Sequence, residues 1–447
     1  MPILSLSQVI ESGLPPFAAC VAGTLAGATV GCLPGFHVYS LLGVALVTTS
    51  GTVSGDIGLA FVVASVTAWA IVGAIPAVLL SAPDESAVFA VLPGQRFLLQ
   101  GRGVEAIILL ALGSACALVA LLPLALLLVP ALPGLHRVLL PHYPWILWVT
   151  NAFMLHSEWP QGRTAGLAPG RRLWSGLRNV VAGLGTFVLA GLLGLILFNR
   201  SPLPVTMAAQ GLMPVFAGLF AVPWLVLNAV SRVRLPAQRR TPGSLPTPAA
   251  LAYGVAAGTL GGAFAAFMPV ISGGIGSLLA GHALSTRNER TFLIAQGACR
   301  SVYYTGGLML LFVPALGVAR GSAASMLRVV HVVQPGDSVL APAVAGLAAG
   351  ISLLVVIPAA HGMLHLLERY GYRRVSLAAL SLLILLVGEF GGLAGLGLML
   401  VATGIGLIPP LFGARRLNAL GVILLPMACA LSGWMPMASR FLGLEPP

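Results

Sequence analysis

Along most of its length the chain alternates between long apolar runs and short polar breaks, the pattern expected of helices that cross a bilayer, each needing about 20 mostly apolar residues. Runs of this kind occupy 57–80, 104–131, 176–199 and 207–230, with a shorter one at 145–157. A polar, Pro-rich stretch, SRVRLPAQRRTPGSLPTP (231–248), interrupts the pattern. It then resumes at 292–316, 340–366, 375–388, 393–412 and 417–435, giving two sets of five spans.

Two segments depart from this pattern in the same way. GTLAGATVGCLPGFHVYSLLG (23–43) and GTLGGAFAAFMPVISGGIGSLLAG (258–281) are Gly-rich apolar stretches broken by a proline. They align without gaps, Gly23 on Gly258, Gly27 on Gly262 and Pro34 on Pro269. Each half of the chain therefore reads as a broken hairpin followed by five spans, an internal repeat. An odd number of crossings per half inverts the second half relative to the first. The expected fold is an all-α integral membrane protein of two inverted-topology repeats, each a broken re-entrant helical hairpin plus five transmembrane helices. The first repeat covers 1–230, with its hairpin at 17–50 and spans within 57–230. The second covers 249–447, with its hairpin at 253–283 and spans within 292–435. The linker 231–248 joins them.

Composition agrees with a chain built for hydrocarbon: 58% of residues are hydrophobic and 8% are charged. Soluble domains carry about 25% charged residues, so no soluble catalytic module is expected. All 23 basic residues are arginine, and the net charge is +12. In a soluble protein that balance would suggest nucleic acid, but here it is explained by Arg-rich cytoplasmic loops, and no nucleic-acid partner is expected. With the linker set on the cytoplasmic side, the span count puts 17 arginines inside and five outside (137, 200, 320, 328 and 440), with Arg300 left within a span. Both termini then face outward from an inner, cytoplasmic membrane. The five cysteines stand singly, excluding a disulfide framework or a zinc cluster. The first residues lack a basic region and cleavage site, so no removable signal peptide is expected. HExxH, GxSxG, GxxxxGK[ST] and helix-opening GxGxxG patterns are absent, and no enzyme is expected.

Inverted repeats containing broken helices place a substrate near the bilayer midplane, where half-helix N-termini favour anions. The candidate binding residues are accordingly the two tips, Pro34, Gly35 and His37 in the first and Pro269, Ser272, Gly273 and Gly274 in the second. Arg300 lies about eight residues into its span, roughly 12 Å deep at 1.5 Å per residue. An ionisable group at that depth is a functional candidate, with snorkelling to the interface as the alternative. Asp84 and Glu85 follow Pro83 after an apolar run; they suit a coupling Na⁺ or H⁺, or a helix cap. Tyr303 and Tyr304 read as packing aromatics, Asp56 as an N-cap and the His361/His365 pair as interfacial.

The motifs LPGFH (33–37), APDE (82–85), LPGQR with GRGVEA (92–106), GLFAVPWL (218–225) and GIGLIPPLFGARR (404–416) together resemble the large permease subunit of tripartite tricarboxylate transporters, nearest its stand-alone, archaeal-type branch. The resemblance implies a permease whose Gly/Pro tips form the substrate site. Two departures, Gln95 where histidine is expected and Phe36-His37 in place of small residues, speak against citrate itself. The second tip is also similar to the PGVSGG element of polyprenyl-phosphate flippases of the same broad superfamily. The expected function is a Na⁺- or H⁺-coupled secondary transporter of a small organic anion, a carboxylate. Flipping of a lipid phosphate is the alternative and a non-transporting scaffold the third reading. Beyond the coupling ion no cofactor is expected; the partners are the lipid bilayer, the anion and, compatibly, a second copy in a homodimer.

Overall fold

A computed structural model describes residues 6–49, 55–159, 168–203, 211–231, 235–241, 243, 245–269, 271–284, 288–313, 316 and 318–444. Among these residues there are helices and turns and no strand. The first half comprises α1 (Leu6–Gly31), α2 (Val38–Thr49), α3 (Gly55–Val72), α4 (Ala74–Leu79), α5 (Val91–Leu99), α6 (Gly103–Leu128), α7 (Leu132–Leu139), α8 (Tyr143–His156), α9 (Pro169–Asn199), α10 (Leu212–Phe216) and α11 (Val222–Val230). The second comprises α12 (Pro248–Phe267), α13 (Gly273–Leu284), α14 (Glu289–Ser301), α15 (Gly307–Met309), α16 (Gly321–Val330), α17 (Asp337–Tyr370), α18 (Tyr372–Phe412), α19 (Gly421–Leu431) and α20 (Met435–Phe441). Rare π-helical turns, Ala217–Ala221 and Val302–Gly306, join α10 to α11 and α14 to α15.

Eight helices among the described residues are long and apolar enough to cross a membrane. The protein is a multi-pass, nearly all-helical membrane protein. The count differs from the ten runs of the sequence for structural reasons. The run 292–316 is divided by the π turn and a 3₁₀ turn, and α8 has only 14 residues. The run 417–435 holds α19, with 11 residues, and ends where α20 begins, bent 119° from it. The 41 residues of α18 turn back at Gly392 (φ 58°, ψ −159°). A Cβ on Gly395 would lie 3.4 Å from the Val387 carbonyl oxygen, whereas eight residues of straight helix span about 12 Å. The separate runs 375–388 and 393–412 are the two arms of this turn. At the other end of the count, α1 and α12 are each long enough to span by themselves, so each hairpin is a spanning helix followed by a short return.

Helix α3 is buried from Val62 to its end, with its first turn reaching the surface, and forms the centre of the bundle. Leu354 on α17 and Leu385, Leu393 and Leu400 on α18 are exposed, the apolar outer surface that lipid covers. Small residues allow the central helices to approach closely. A Cβ on Gly23 of α1 would lie 2.5 Å from the Phe61 carbonyl oxygen on α3, and one on Gly262 of α12 would lie 2.6 Å from that of Cys299 on α14. Gly27 and Gly258 meet Ser65 and Ala295 in the same way. The return arms differ. In the second hairpin Gly261 and Gly276 pack backbone against backbone, holding α13 along α12. The aligned positions of the first are Ala26 and Leu41, too bulky for that contact. Helix α2 accordingly shares its packing among α1, α3 and α16, with the Tyr39 hydroxyl beside Gly321.

One end of the bundle gathers arginines that the span count placed inside. Linker residues dock there: Arg239 N–H donates to the Gly101 carbonyl (2.8 Å), Gln238 accepts from Gly103 N–H (3.0 Å), and Arg240 pairs with Glu368 (2.9 Å). His361 contacts the Arg240 carbonyl (2.9 Å). Arg102 and Arg290 converge on Glu105, and Arg96 pairs with Glu289.

Candidate functional site

Each element of the site begins with a break in a helix. Leu33-Pro34-Gly35 ends α1, since proline has no N–H to continue the helix and Gly35 adopts φ +73°. A Cβ on Gly35 would also lie 2.6 Å from that of Ala221. Pro269 ends α12 by forcing the preceding Met268 into an extended conformation (φ −74°, ψ 136°). The third break, at Gly73 between α3 and α4, was not anticipated. It leaves the Ala70 carbonyl to accept from the Arg300 Nη1 (2.9 Å). Downstream of α4, Ser81 has φ 53°, uncommon for a side-chain-bearing residue, and Gln95 donates to its hydroxyl (2.7 Å).

The first and third of these breaks flank one cavity, lined by Gly35, Phe36 and His37 of the first tip, Trp69 and Gly73 of the central helix, Pro83, Asp84, Glu85 and Arg300, with Phe216 and Phe220 opposite. Its volume of about 30 Å³ has room for one or two waters and none for an organic anion in this conformation.

Arg300 is buried, not snorkelling. Its guanidinium is 4.6 Å from the Trp69 ring centroid, and Nη2 is ion-paired with Asp84 Oδ2. The Asp84 carboxylate has two tasks. Oδ1 accepts from the N–H groups of Ser86 (2.8 Å) and Ala87 (3.0 Å) and from the Ser86 hydroxyl, capping the turn, while Oδ2 holds Arg300. The capping expected of Asp84 is present, together with a pairing to Arg300 that the sequence did not suggest.

Glu85 and His37 form a second, linked group. Tyr304 donates to Glu85 Oε1, while Oε2 is buried with no partner among the described residues. His37 Nδ1 accepts from the Tyr39 N–H (3.3 Å), which leaves the proton of neutral imidazole on Nε2. That nitrogen faces the Tyr304 hydroxyl (3.4 Å) and Glu85 (3.7 Å). Trp69 packs on His37 (centroids 4.2 Å apart), and its Nε1 donates to the Phe36 carbonyl (3.1 Å), fixing the tip. A hydrogen-bonded chain of His37, Tyr304 and Glu85 thus stands beside an Arg300–Asp84 pair.

The second tip is close but lies outside the cavity wall. A Cβ on Gly274 would be 2.6 Å from the Glu85 carbonyl oxygen, and one on Gly273 2.8 Å from both Ser86 and Tyr303. Ser272 opens α13 with its carbonyl accepting from Ile275 N–H (3.0 Å), and its buried hydroxyl has no partner among the described residues. Gly35, His37, Asp84, Glu85 and Arg300 are therefore brought together, with Pro34 buried in the first tip. Of the second tip, Gly274 reaches them through the Glu85 backbone and Gly273 through Ser86, Tyr303 and Cys299, and none of Pro269, Ser272, Gly273 and Gly274 lines the cavity. Val270 lies outside the described residues.

Tyr304, read from the sequence as packing, is hydrogen-bonded to Glu85, and Trp69 was not singled out. The repeat carried a signal for both: they occupy equivalent positions in the alignment of the two halves, and their rings meet edge-on at 4.9 Å. A group able to hold a metal also lies elsewhere. Asp56, His331 and Asp337 bring one ligand atom each within 4.8 Å of one another, although His331 already contacts Asp337 (2.7 Å).

A family model described as the tripartite tricarboxylate transporter TctA family matches residues 17–421. The chain is 22% identical over 313 residues to an uncharacterized protein of Methanocaldococcus jannaschii, covering 70% of this chain and 72% of that one. No solved structure matches it.

Proposed function

The chain belongs to the tripartite tricarboxylate transporter TctA family, and from that premise we propose that it is a secondary transporter of a small organic carboxylate, coupled to H⁺ or Na⁺ and working by alternating access around the Arg300 cavity. One observation supports this reading above the others: the buried guanidinium suited to a carboxylate is already held by Asp84. A carboxylate brought about 4 Å from ionised Asp84 would be repelled by roughly 4 kcal/mol at an effective dielectric of 20. Neutralising Asp84 with H⁺ or Na⁺ removes that repulsion and frees the Arg300 fork, which binds carboxylates bidentately. Anion binding then requires the cation, and cation entry without the anion leaves Arg300 buried and unpaired. Both half-loaded states are disfavoured, as coupling demands.

The His37–Tyr304–Glu85 chain supplies a route for the proton, and the nearly filled cavity fits an occluded, unloaded conformation. The lipid-phosphate alternative rests on the second tip, where Gly273 is packed against Ser86 and Tyr303 and Gly274 against the Glu85 backbone. The organic-anion reading accounts for more of the site. Its test is uptake of a panel of radiolabelled di- and tricarboxylates into proteoliposomes under imposed pH or Na⁺ gradients. Wild type should concentrate at least one, Arg300→Lys should be greatly slowed because it keeps charge but loses the fork, and Arg300→Ala should be inactive. Wild-type rates in Arg300→Ala would reject the site.

A further inference from the structure

A second arginine is buried without the counter-charge that Arg300 has. Arg416 is 8% exposed, and neither Nη1 nor Nη2 has a hydrogen-bond partner among the described residues. Its guanidinium lies 3.4 Å from the Trp224 ring centroid, and the Trp224 Nε1 is likewise buried without a partner. Three donors therefore share one place with no acceptor within hydrogen-bond distance among the described residues. Burying an isolated guanidinium is costly, and an aromatic face only partly replaces its lost water. An oxyanion would supply both the acceptor and the counter-charge.

The location relates this group to the transport site. Trp224 follows Phe220, which lines the cavity, by one helical turn. Arg416 opens the turn whose Leu417 and Leu420 pack against Gly274 of the second tip. Each tip thus has an arginine stacked on a tryptophan nearby, Arg300 on Trp69 and Arg416 on Trp224. In this conformation the first arginine is neutralised by Asp84, and the second is open.

We propose that Arg416 and Trp224 form a second oxyanion subsite, which takes a carboxylate group of the transported anion. Naming the substrate as occupant rests on the organic-anion reading; the oxyanion chemistry rests on the donors alone. A guanidinium edge binds the two oxygens of a carboxylate or a phosphate equally well, so a lipid headgroup is the competing source.

The test is thermal unfolding of the full-length protein in a neutral detergent, with succinate, inorganic phosphate, or micelles containing phosphatidylglycerol as probes. Succinate should raise the Tm of wild type and of Arg300→Ala saturably. The rise should need at least tenfold more succinate in Arg416→Lys and disappear in Arg416→Met. Without any probe, Arg416→Met should unfold at or above the wild-type Tm, because it removes an unpaired buried charge; a purely structural arginine would lower it. Stabilisation by phosphatidylglycerol alone would overturn the substrate as occupant. No response to any probe, or an equal response in Arg416→Met and Arg416→Lys, would overturn the subsite. Arg416-dependent stabilisation in a protein that fails every uptake assay would retain the subsite and reject the transport reading.

Discussion

Gly73→Ala is a sharp test of how the central helix serves Arg300. The backbone there (φ −61°, ψ −5°) is open to alanine, so the perturbation is steric. The new methyl carbon would lie 2.6 Å from Arg300 Nη1 and closer still to Nη2. The obstacle is the end of a flexible side chain, so the helix can form if the guanidinium swings away. It must then give up the Ala70 carbonyl, the Asp84 carboxylate, or both. A hydrogen bond to a charged group contributes about 1.5–3 kcal/mol. Losing one such bond should lower occupancy of the native Arg300 pose by about 10- to 150-fold, at about 1.4 kcal/mol per factor of ten. Carboxylate uptake should fall by a similar factor, while expression and membrane insertion stay normal. The control is Gly397→Ala, on the exposed face of α18 with no atom within 4 Å of the new methyl, which should transport as wild type. Wild-type uptake in Gly73→Ala would refute the claim that Arg300 acts from this pose.

Tyr304→Phe removes the hydroxyl between His37 and Glu85; H⁺-driven uptake should slow at least tenfold with anion binding retained, and an unchanged rate would exclude Tyr304 from the proton route. Inverted repeats also predict opposite sidedness for the linker and the C-terminus. Single cysteines at Ser244 and Glu445, positions outside the described residues, should label from the cytoplasmic and outer faces respectively, and labelling from one face would reject the inversion.

Much of the site was legible because its residues conflict with their surroundings. Arg300 in an apolar run, Pro34 and Pro269 in Gly-rich helices, and Asp84-Glu85 after a span each break a local rule. Gly23, Gly27, Gly258 and Gly262 were visible as a repeat because close helix packing needs small residues at fixed spacing. A residue that agrees with an apolar helix is silent: Gly73 reads as an ordinary membrane position, and only the cavity gives it a role. Arg416 was one of 17 inside arginines, since a terminal position in sequence does not reveal that the following turn is buried. The difference between the return arms was present as Leu41 against Gly276, but its consequence appears only when α13 is seen lying along α12.

The central claim is that Asp84 makes anion binding depend on a cation. Its most direct test compares wild type with Asp84→Asn in proteoliposomes, measuring carboxylate exchange at equal concentrations inside and out and concentrative uptake under a pH or Na⁺ gradient. Asparagine keeps the side chain's shape and is permanently neutral. Asp84→Asn should exchange the carboxylate without H⁺ or Na⁺ and fail to concentrate it. Gradient-driven accumulation in Asp84→Asn equal to that of wild type would contradict the account.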